Sequence, residues 1–182
     1  DDTGDNISDK NPFFCELTGL YWLWKNTDSE YVGMVHYRRY FATRKHVAGN
    51  NPFDKIIKRA ELEKVLENTD IIVPKKRHYF IETLYSHYAH THYASHLDIT
   101  RDILNKKCPE YLPAFDKVMK RSWGYMFNMM IMKRNRLNEY CEWLFPILFE
   151  LEEKVDVSEY DAFQARLFGR VSELLLNVWL VH

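Results

Sequence analysis

The chain has 182 residues, enough for one full domain with a core and too few for two ordinary domains and a linker. Hydrophobic residues at 46% and charged residues at 28% exclude disordered, collagen-like and coiled-coil classes. The 25 basic against 26 acidic residues leave a net charge of -1, so no global field holds a polyanion, and a nucleic-acid partner is not expected.

Aromatic residues reach 15%, more than a small core needs, and flat amphipathic rings commonly line pockets for sugars, bases or partners. Cys15, Cys108 and Cys141 are odd in number and widely spaced, which fits reduced, buried thiols in a cytoplasmic protein. No CxxC pair for zinc is present, no apolar run approaches the roughly 20 residues of a spanning helix, and no signal peptide opens the sequence.

The polar head 1–10 reads as a loop whose Asx side chains and Gly4 turn the backbone. Asn11 and Pro12 then suit an N-cap and first helical position. Phe14, Leu17, Tyr21 and Trp24 recur at helical spacing and predict one amphipathic helix over 12–25. Glu16 falls inside the edge of its apolar arc, where a carboxylate needs a partner or a role.

Residues 31–37 (YVGMVHY) predict a buried strand running straight into Arg38, Arg39 and Tyr40, followed by a long polar loop. Leu62, Val65 and Leu66 mark a helix over 59–67, and 70–73 (DIIV) predict a short strand closed by Pro74 and the cluster Lys75, Lys76, Arg77. A helix joining two buried strands is what an α/β sheet requires. The stretch 82–97 packs four His and three Tyr without a clean period, and Asp98 opens a further helix. Pro109 and Pro113 bracket a turn into a helix ending near Arg121. Residues 124–132 (GYMFNMMIM) predict a continuous strand buried on both faces, with Asn128 its single polar residue. The rest is helical: one helix through Leu137 and Leu151 that Pro146 should kink, and another opened by Ser158.

The strand end His36-Tyr37-Arg38-Arg39 is the sharpest local signal, because sheet ligands bind beyond strand ends and arginine forks grip phosphate oxygens. The Lys75–Arg77 cluster follows a second strand end, so two basic edges can converge on one anion. Two exposed arginines and a solvated charge run are the structural alternatives. His87, His90, His92 and His96 fit no familiar zinc spacing. With the neighbouring tyrosines they suit a polar wall for a hydroxylated ligand, a role that extends to Tyr85. Asp161 follows Ser158 at capping-box spacing, so helix initiation accounts for it. A carboxylate there could equally project into a cleft as a general base beside Asn128, on a segment that also offers Arg166, Ser172 and Glu173. Gly169 either interrupts the helix or allows a close approach.

The blocks Asp2-Thr3-Gly4-Asp5-Asn6-Ile7, Cys15-Glu16-Leu17-Thr18, Trp24-Lys25-Asn26, Val35-His36-Tyr37-Arg38-Arg39-Tyr40-Phe41, Glu82-Thr83-Leu84-Tyr85 and Ser172-Glu173 stand together across the chain. This set resembles a bacterial family of capsular and exopolysaccharide biosynthesis clusters, long described as a domain of unknown function and grouped with glycosyltransferases. The resemblance implies a single domain over 1–182: a GT-A-like mixed sheet flanked by helices, with a helix-rich C-terminal half. Members usually carry a further strand ahead of the DTGDNIS block, so an N-terminally truncated domain is expected. The implied reaction moves a sugar, hexosyl and with galactofuranosyl among the open choices, from a nucleotide sugar, expected to be UDP-linked, to a hydroxyl of a growing oligosaccharide. The acceptor would be lipid-linked, which brings a cytoplasmic enzyme to the inner face of the membrane as a peripheral partner.

No Asp-x-Asp metal motif is evident, and no metal or other cofactor is expected. His36, Arg38 and Arg39 would neutralise the donor diphosphate, with Asp5, Asn6 and Glu16 also on the donor side. Asp161 or Glu173 would be the base, and Tyr85, His87, His90, His92 and Asn128 would meet the acceptor. Two readings of other classes stand beside this one: a noncatalytic carbohydrate-binding or scaffold module of a polysaccharide assembly complex, and a metal-dependent hydrolase built on the histidines.

Overall fold

The computed structural model of the chain describes residues 2–46 and 48–182, a mixed α/β fold in which a small sheet is outweighed by helices. Helix α1 (Asn11–Phe14) carries Pro12 in its first turn, and α2 (Leu17–Asn26) follows. The single helix expected over 12–25 is therefore broken. Cys15 at the break takes a left-handed φ of 52°. Asn11, rather than capping, reaches forward from the first helical position: its amide donates to the Cys15 carbonyl and to Thr18 Oγ1 and stitches the two helices together. The break removes Glu16 from the apolar arc and turns it toward an open cleft.

Strand β1 (Tyr31–Met34) ends earlier than the expected 31–37. Beyond it the Arg39 N–H donates to the His36 carbonyl at 3.0 Å, so His36 to Arg39 form a tight turn instead of a strand extension. Helix α3 (Arg59–Leu66) leads to β2 (Ile71–Ile72). A two-stranded ribbon joins β3 (Arg77–His78) to β4 (Trp123–Gly124), with Arg77 opposite Gly124 and His78 opposite Trp123. Strand β5 (Met130–Lys133) lies between β1 and β2 and antiparallel to both. Met130, Ile131 and Met132 are all buried, so successive side chains on both faces of this central strand are covered.

The continuous strand expected over 124–132 is thus two strands in two sheets. Phe127 and Asn128 between them hold positive φ of 75° and 48°, which no strand accommodates. Asn tolerates that conformation better than most residues because its short amide bonds locally, and here the amide is fully engaged, as described below.

Helix α4 (Leu84–Thr91) starts with a reciprocal cap between Thr83 and Ser86. Helix α5 (Ser95–Lys107) begins three residues before Asp98. Helix α6 (Leu112–Met119) begins just after Pro109, with Pro113 in its first turn. Helix α7 (Arg134–Lys154) continues through Pro146. Helix α8 (Leu167–Trp179) starts nine residues after the expected opening at Ser158, which instead lies in a turn where its N–H donates to Asp156 Oδ1. Gly169 does not interrupt α8. A Cβ there would sit 3.7 Å from Cys15 Cβ and the Phe14 carbonyl, so its role is close helix approach.

The core lies among α5, α6, α7 and α8, with Leu137, Tyr140, Leu144, Leu148, Leu151, Phe168, Val171 and Leu175 inaccessible or nearly so. Phe14 stacks on Phe168 at 4.7 Å, which docks α1 onto α8. Each such ring or branched side chain contributes roughly 1.5–3 kcal/mol on burial. No helix among the described residues is long and apolar enough to cross a membrane.

Candidate active site

A cleft of about 360 Å³ opens between the turn after β1, strand β3, helix α4 and the first turns of α8, with the α1–α2 break on one wall. Five arginines line it: Arg38 and Arg39 from the turn, Arg77 from β3, Arg166 just before α8 and Arg170 within it. The two basic edges read in the sequence do converge, through Arg77. Lys76 instead lies 3.9 Å over the Trp123 ring, away from the cleft.

The arginines are held by rings more than by acids. Arg38 lies 4.6 Å from the Tyr37 ring, Arg39 4.1 Å from Phe127, and Arg170 4.7 Å from Phe163. Stacking fixes the guanidinium plane and leaves the N–H edges available. Among the described residues none of the five forms an ion pair, and Arg170 Nε is buried without a hydrogen-bond partner. Arg166 Nε donates to Cys15 Sγ at 3.0 Å, so Cys15 is a half-buried thiol on the cleft wall, while Cys108 and Cys141 are buried.

His36 supplies geometry to this cluster instead of charge. Its Nδ1 accepts from the Arg38 N–H at 3.2 Å and faces Arg39 Nη1 at 3.4 Å. Burial and the neighbouring Arg39 push its pKa down, so the ring is neutral at pH 7.

Two carboxylates face the arginines. Glu16 Oε1 accepts from Asn128 Nδ2 at 2.8 Å. The same amide donates to the Gly169 carbonyl at 3.0 Å, and Asn128 Oδ1 accepts from Ser172 Oγ at 2.8 Å. Asn128 is almost wholly buried and belongs to the floor beneath the site. Its carboxylate neighbour is Glu16, not Asp161. Glu173, half-buried on α8, receives the Phe127 N–H. Burial, with Glu16 adding to it, raises the Glu173 carboxyl to about 7 against the opposing pull of Phe127 N–H, Arg170 and Arg77. A carboxyl at that value is poised to hold or release a proton at neutral pH.

Asp161 lies outside the cleft. Its exposed Oδ1 accepts the N–H groups of Phe163 and Gln164, both at 2.8 Å, and caps the short helical turn that leads into α8. Asp5 and Asn6 also lie away from the cleft. Asn6 donates to the carbonyls of Asp2 and Gly4 and accepts from Ser8, while Asp5 is tied to Asn26 and Tyr21.

The histidines divide into separate contacts. His87 and His90 both bond the Glu82 carboxylate, at 2.6 and 2.5 Å, and together hold its pKa down. His87 lines the cleft against the Tyr79 ring, and His90 faces away from it. His92 is buried, bonds Gln164 and stacks on Phe163. His96 is buried between Tyr88 and Tyr160, and burial lowers it to about 4. Tyr85 bonds Asp98 outside the cleft. Of the residues expected to form a polar wall, His87, Tyr88 and His92 line the cleft together with Tyr79 and Phe163, and Tyr85, His90 and His96 do not.

Arg170, Tyr79 and Phe127 are cleft residues that sequence reasoning does not single out, and Cys15 stands there only as a thiol and as part of a family-like block. A signal for the first was available: Arg166, Gly169, Arg170 and Glu173 follow helical spacing and share one face.

A family model described as a domain of unknown function, DUF4422, matches residues 1–182. No curated protein matches the chain. Among solved structures, the apo structure of the WbbM bifunctional glycosyltransferase is similar, with a TM-score of 0.89 and 34% identity over 99% of this chain. The match takes in 35% of that protein, so this chain spans about a third of its length.

Proposed function

The chain belongs to the DUF4422 family, and on that premise we propose that it is a glycosyltransferase module whose cleft binds a nucleotide-sugar donor and transfers the sugar to an acceptor hydroxyl. The observation that carries this reading is the gathering of five guanidinium groups, with no ion pair among the described residues, beside Glu173, a carboxyl raised to about 7. The likeness to a glycosyltransferase over nearly the whole chain supports it.

In this mechanism Arg38, Arg39 and Arg77 receive the diphosphate oxygens and stabilise the negative charge that grows on the leaving group, without a divalent metal. Glu173 accepts the proton of the acceptor hydroxyl as its oxygen bonds to the anomeric carbon. The bond from that carbon to the phosphate oxygen breaks and the nucleoside diphosphate leaves with the electron pair. Tyr79, His87 and the Phe163–His92 stack offer a wall for the sugar rings. The acceptor is a lipid-linked oligosaccharide of a capsular, exopolysaccharide or O-antigen type, and a UDP-linked hexose is the proposed donor.

The test is a calorimetric titration with UDP, with and without manganese, on the protein and on Arg38→Ala/Arg39→Ala. Metal-independent binding lost in the double variant is the expected result. Binding that demands manganese and ignores the arginines overturns the proposed diphosphate site, and glycan binding with no affinity for UDP identifies a noncatalytic module.

A further inference from the structure

The β3–β4 ribbon has a surface pattern of which the cleft uses only Arg77 and Tyr79. Residues 74–81 and 120–125 contain Lys75, Lys76, Arg77, Lys120 and Arg121 and no carboxylate. The register and the bond from Tyr79 N–H to the Ser122 carbonyl place these two segments side by side. Lys76 Nζ and Arg121 Cζ lie 3.9 and 4.5 Å from the Trp123 ring, so two cations flank one half-buried indole.

Beyond Tyr79 the chain turns sharply. The N–H groups of Ile81 and Glu82 both donate to the Tyr79 carbonyl, at 2.7 and 3.4 Å, and Phe80 takes a φ of 57°. A bulky residue in that region is strained and persists only where its surroundings fix it. The result is a protruding tip on which Phe80 is 87% and Ile81 97% exposed, the two most exposed large hydrophobic residues among those described. The nearest carboxylate in sequence, Glu82, is engaged by His87 and His90.

We infer that this tip is a membrane-contact site for a bilayer with anionic headgroups. Phe80 and Ile81 enter the interface, Lys75, Lys76, Lys120 and Arg121 meet lipid phosphates, and Trp123 sits at headgroup depth. Apolar insertion and a basic collar together are the two signals that hold a peripheral protein on a membrane. The occupant is a lipid surface and not a protein because the feature is convex and narrow. Two protruding side chains bury far less than the roughly 1,000 Å² a stable protein interface requires, and the cations complement phosphate. Tyr79 and Arg77 connect the tip directly to the cleft wall. On the glycosyltransferase reading, on which this consequence alone rests, the bilayer then lies beside the cleft mouth, where a lipid-linked acceptor would present its sugar.

The test is cosedimentation with vesicles of phosphatidylcholine alone and with about a third phosphatidylglycerol. Binding is expected only with the anionic lipid, is weakened by salt, and shifts Trp emission to the blue. Phe80→Ser/Ile81→Ser should weaken it by about tenfold or more. Lys76→Ala and Lys120→Ala should each cost roughly fivefold. None of these exposed changes should alter UDP affinity, so the membrane contact and the donor site are judged separately. No vesicle binding overturns the inference. So does binding that survives Phe80→Ser/Ile81→Ser, since a plain electrostatic patch would behave that way.

Discussion

Two polar clusters, the loop 2–8 with α2 and the turn after β1 with its cleft, use their hydrogen-bonding groups in opposite ways. In the first, groups satisfy one another. Asn26 accepts the Asp5 N–H and donates to the Asp5 and Trp22 carbonyls, Trp22 Nε1 donates to the Thr3 carbonyl at 2.9 Å, and Asn6 closes the loop on itself. In the second, the Arg38, Arg39 and Arg170 guanidinium groups are positioned by rings and meet no counter-ion among the described residues. A network that saturates its own donors and acceptors stabilises a fold, whereas positioned donors without acceptors are prepared for something that is not part of the chain.

The largest effect that would sharpen this contrast is expected from Glu173→Gln. Loss of a general base costs about 10²–10⁴ in turnover, and the wild-type rate should rise with pH through a value near 7, where the carboxylate forms. Stability should move the other way. The folded carboxyl is raised above its ordinary value, so the folded state binds the proton more tightly, and stability falls as pH rises from about 4.5 to about 7. The glutamine variant escapes that penalty and should be more stable than wild type at pH 8, by about 2 kcal/mol, with the difference closing at pH 4. Thermal denaturation at both pH values checks this, and equal turnover in the variant would remove Glu173 from the reaction.

Next in size is Arg38→Ala/Arg39→Ala. Charge-assisted hydrogen bonds contribute about 1.5–3 kcal/mol each, so UDP affinity should fall by about 10² or more. Melting should barely move, because both side chains are exposed and form no ion pair among the described residues. The self-satisfied cluster should answer in reverse. Gly4 has a φ of 64°, and a Cβ there would collide with Asn26 Oδ1. Gly4→Ala and Asn26→Ala should each cost about 1–3 kcal/mol of stability and leave UDP affinity unchanged. A large loss of UDP affinity with intact folding in Asn26→Ala would instead place the loop in the donor site.

The parts of this arrangement legible in the sequence are those fixed by local pattern. The apolar run of β5, the spacing of α7 and the basic ends of β1 and β2 follow from periodicity and charge. What was hidden depends on contacts between distant residues. Asn128 reads as one polar interruption of a strand, yet its amide bonds Glu16, Gly169 and Ser172 from three other segments, and those bonds support the turn that splits 124–132 into two strands. Cys15 reads as a buried helical thiol until Asn11 is seen to bridge the break around it. The cleft's basic character likewise depends on Arg77 and Arg170, brought beside the β1 turn only by the packing of β3 and α8.

The smallest expected effect concerns Asp161, a carboxylate whose spacing suits either a base or a cap. Its Oδ1 accepts two backbone N–H groups at the entry to α8, so Asp161→Ala should remove a cap and cost about 1 kcal/mol. Asp161→Asn keeps an acceptor oxygen at the same place and should recover most of that loss. Because α8 carries Arg170 and Glu173, any loosening of its start would register as a modest rise in KM with kcat nearly constant. A fall of 10² or more in kcat for Asp161→Asn with unchanged melting would show that the capping carboxylate reaches the substrate, and would transfer the role of base from Glu173 to Asp161.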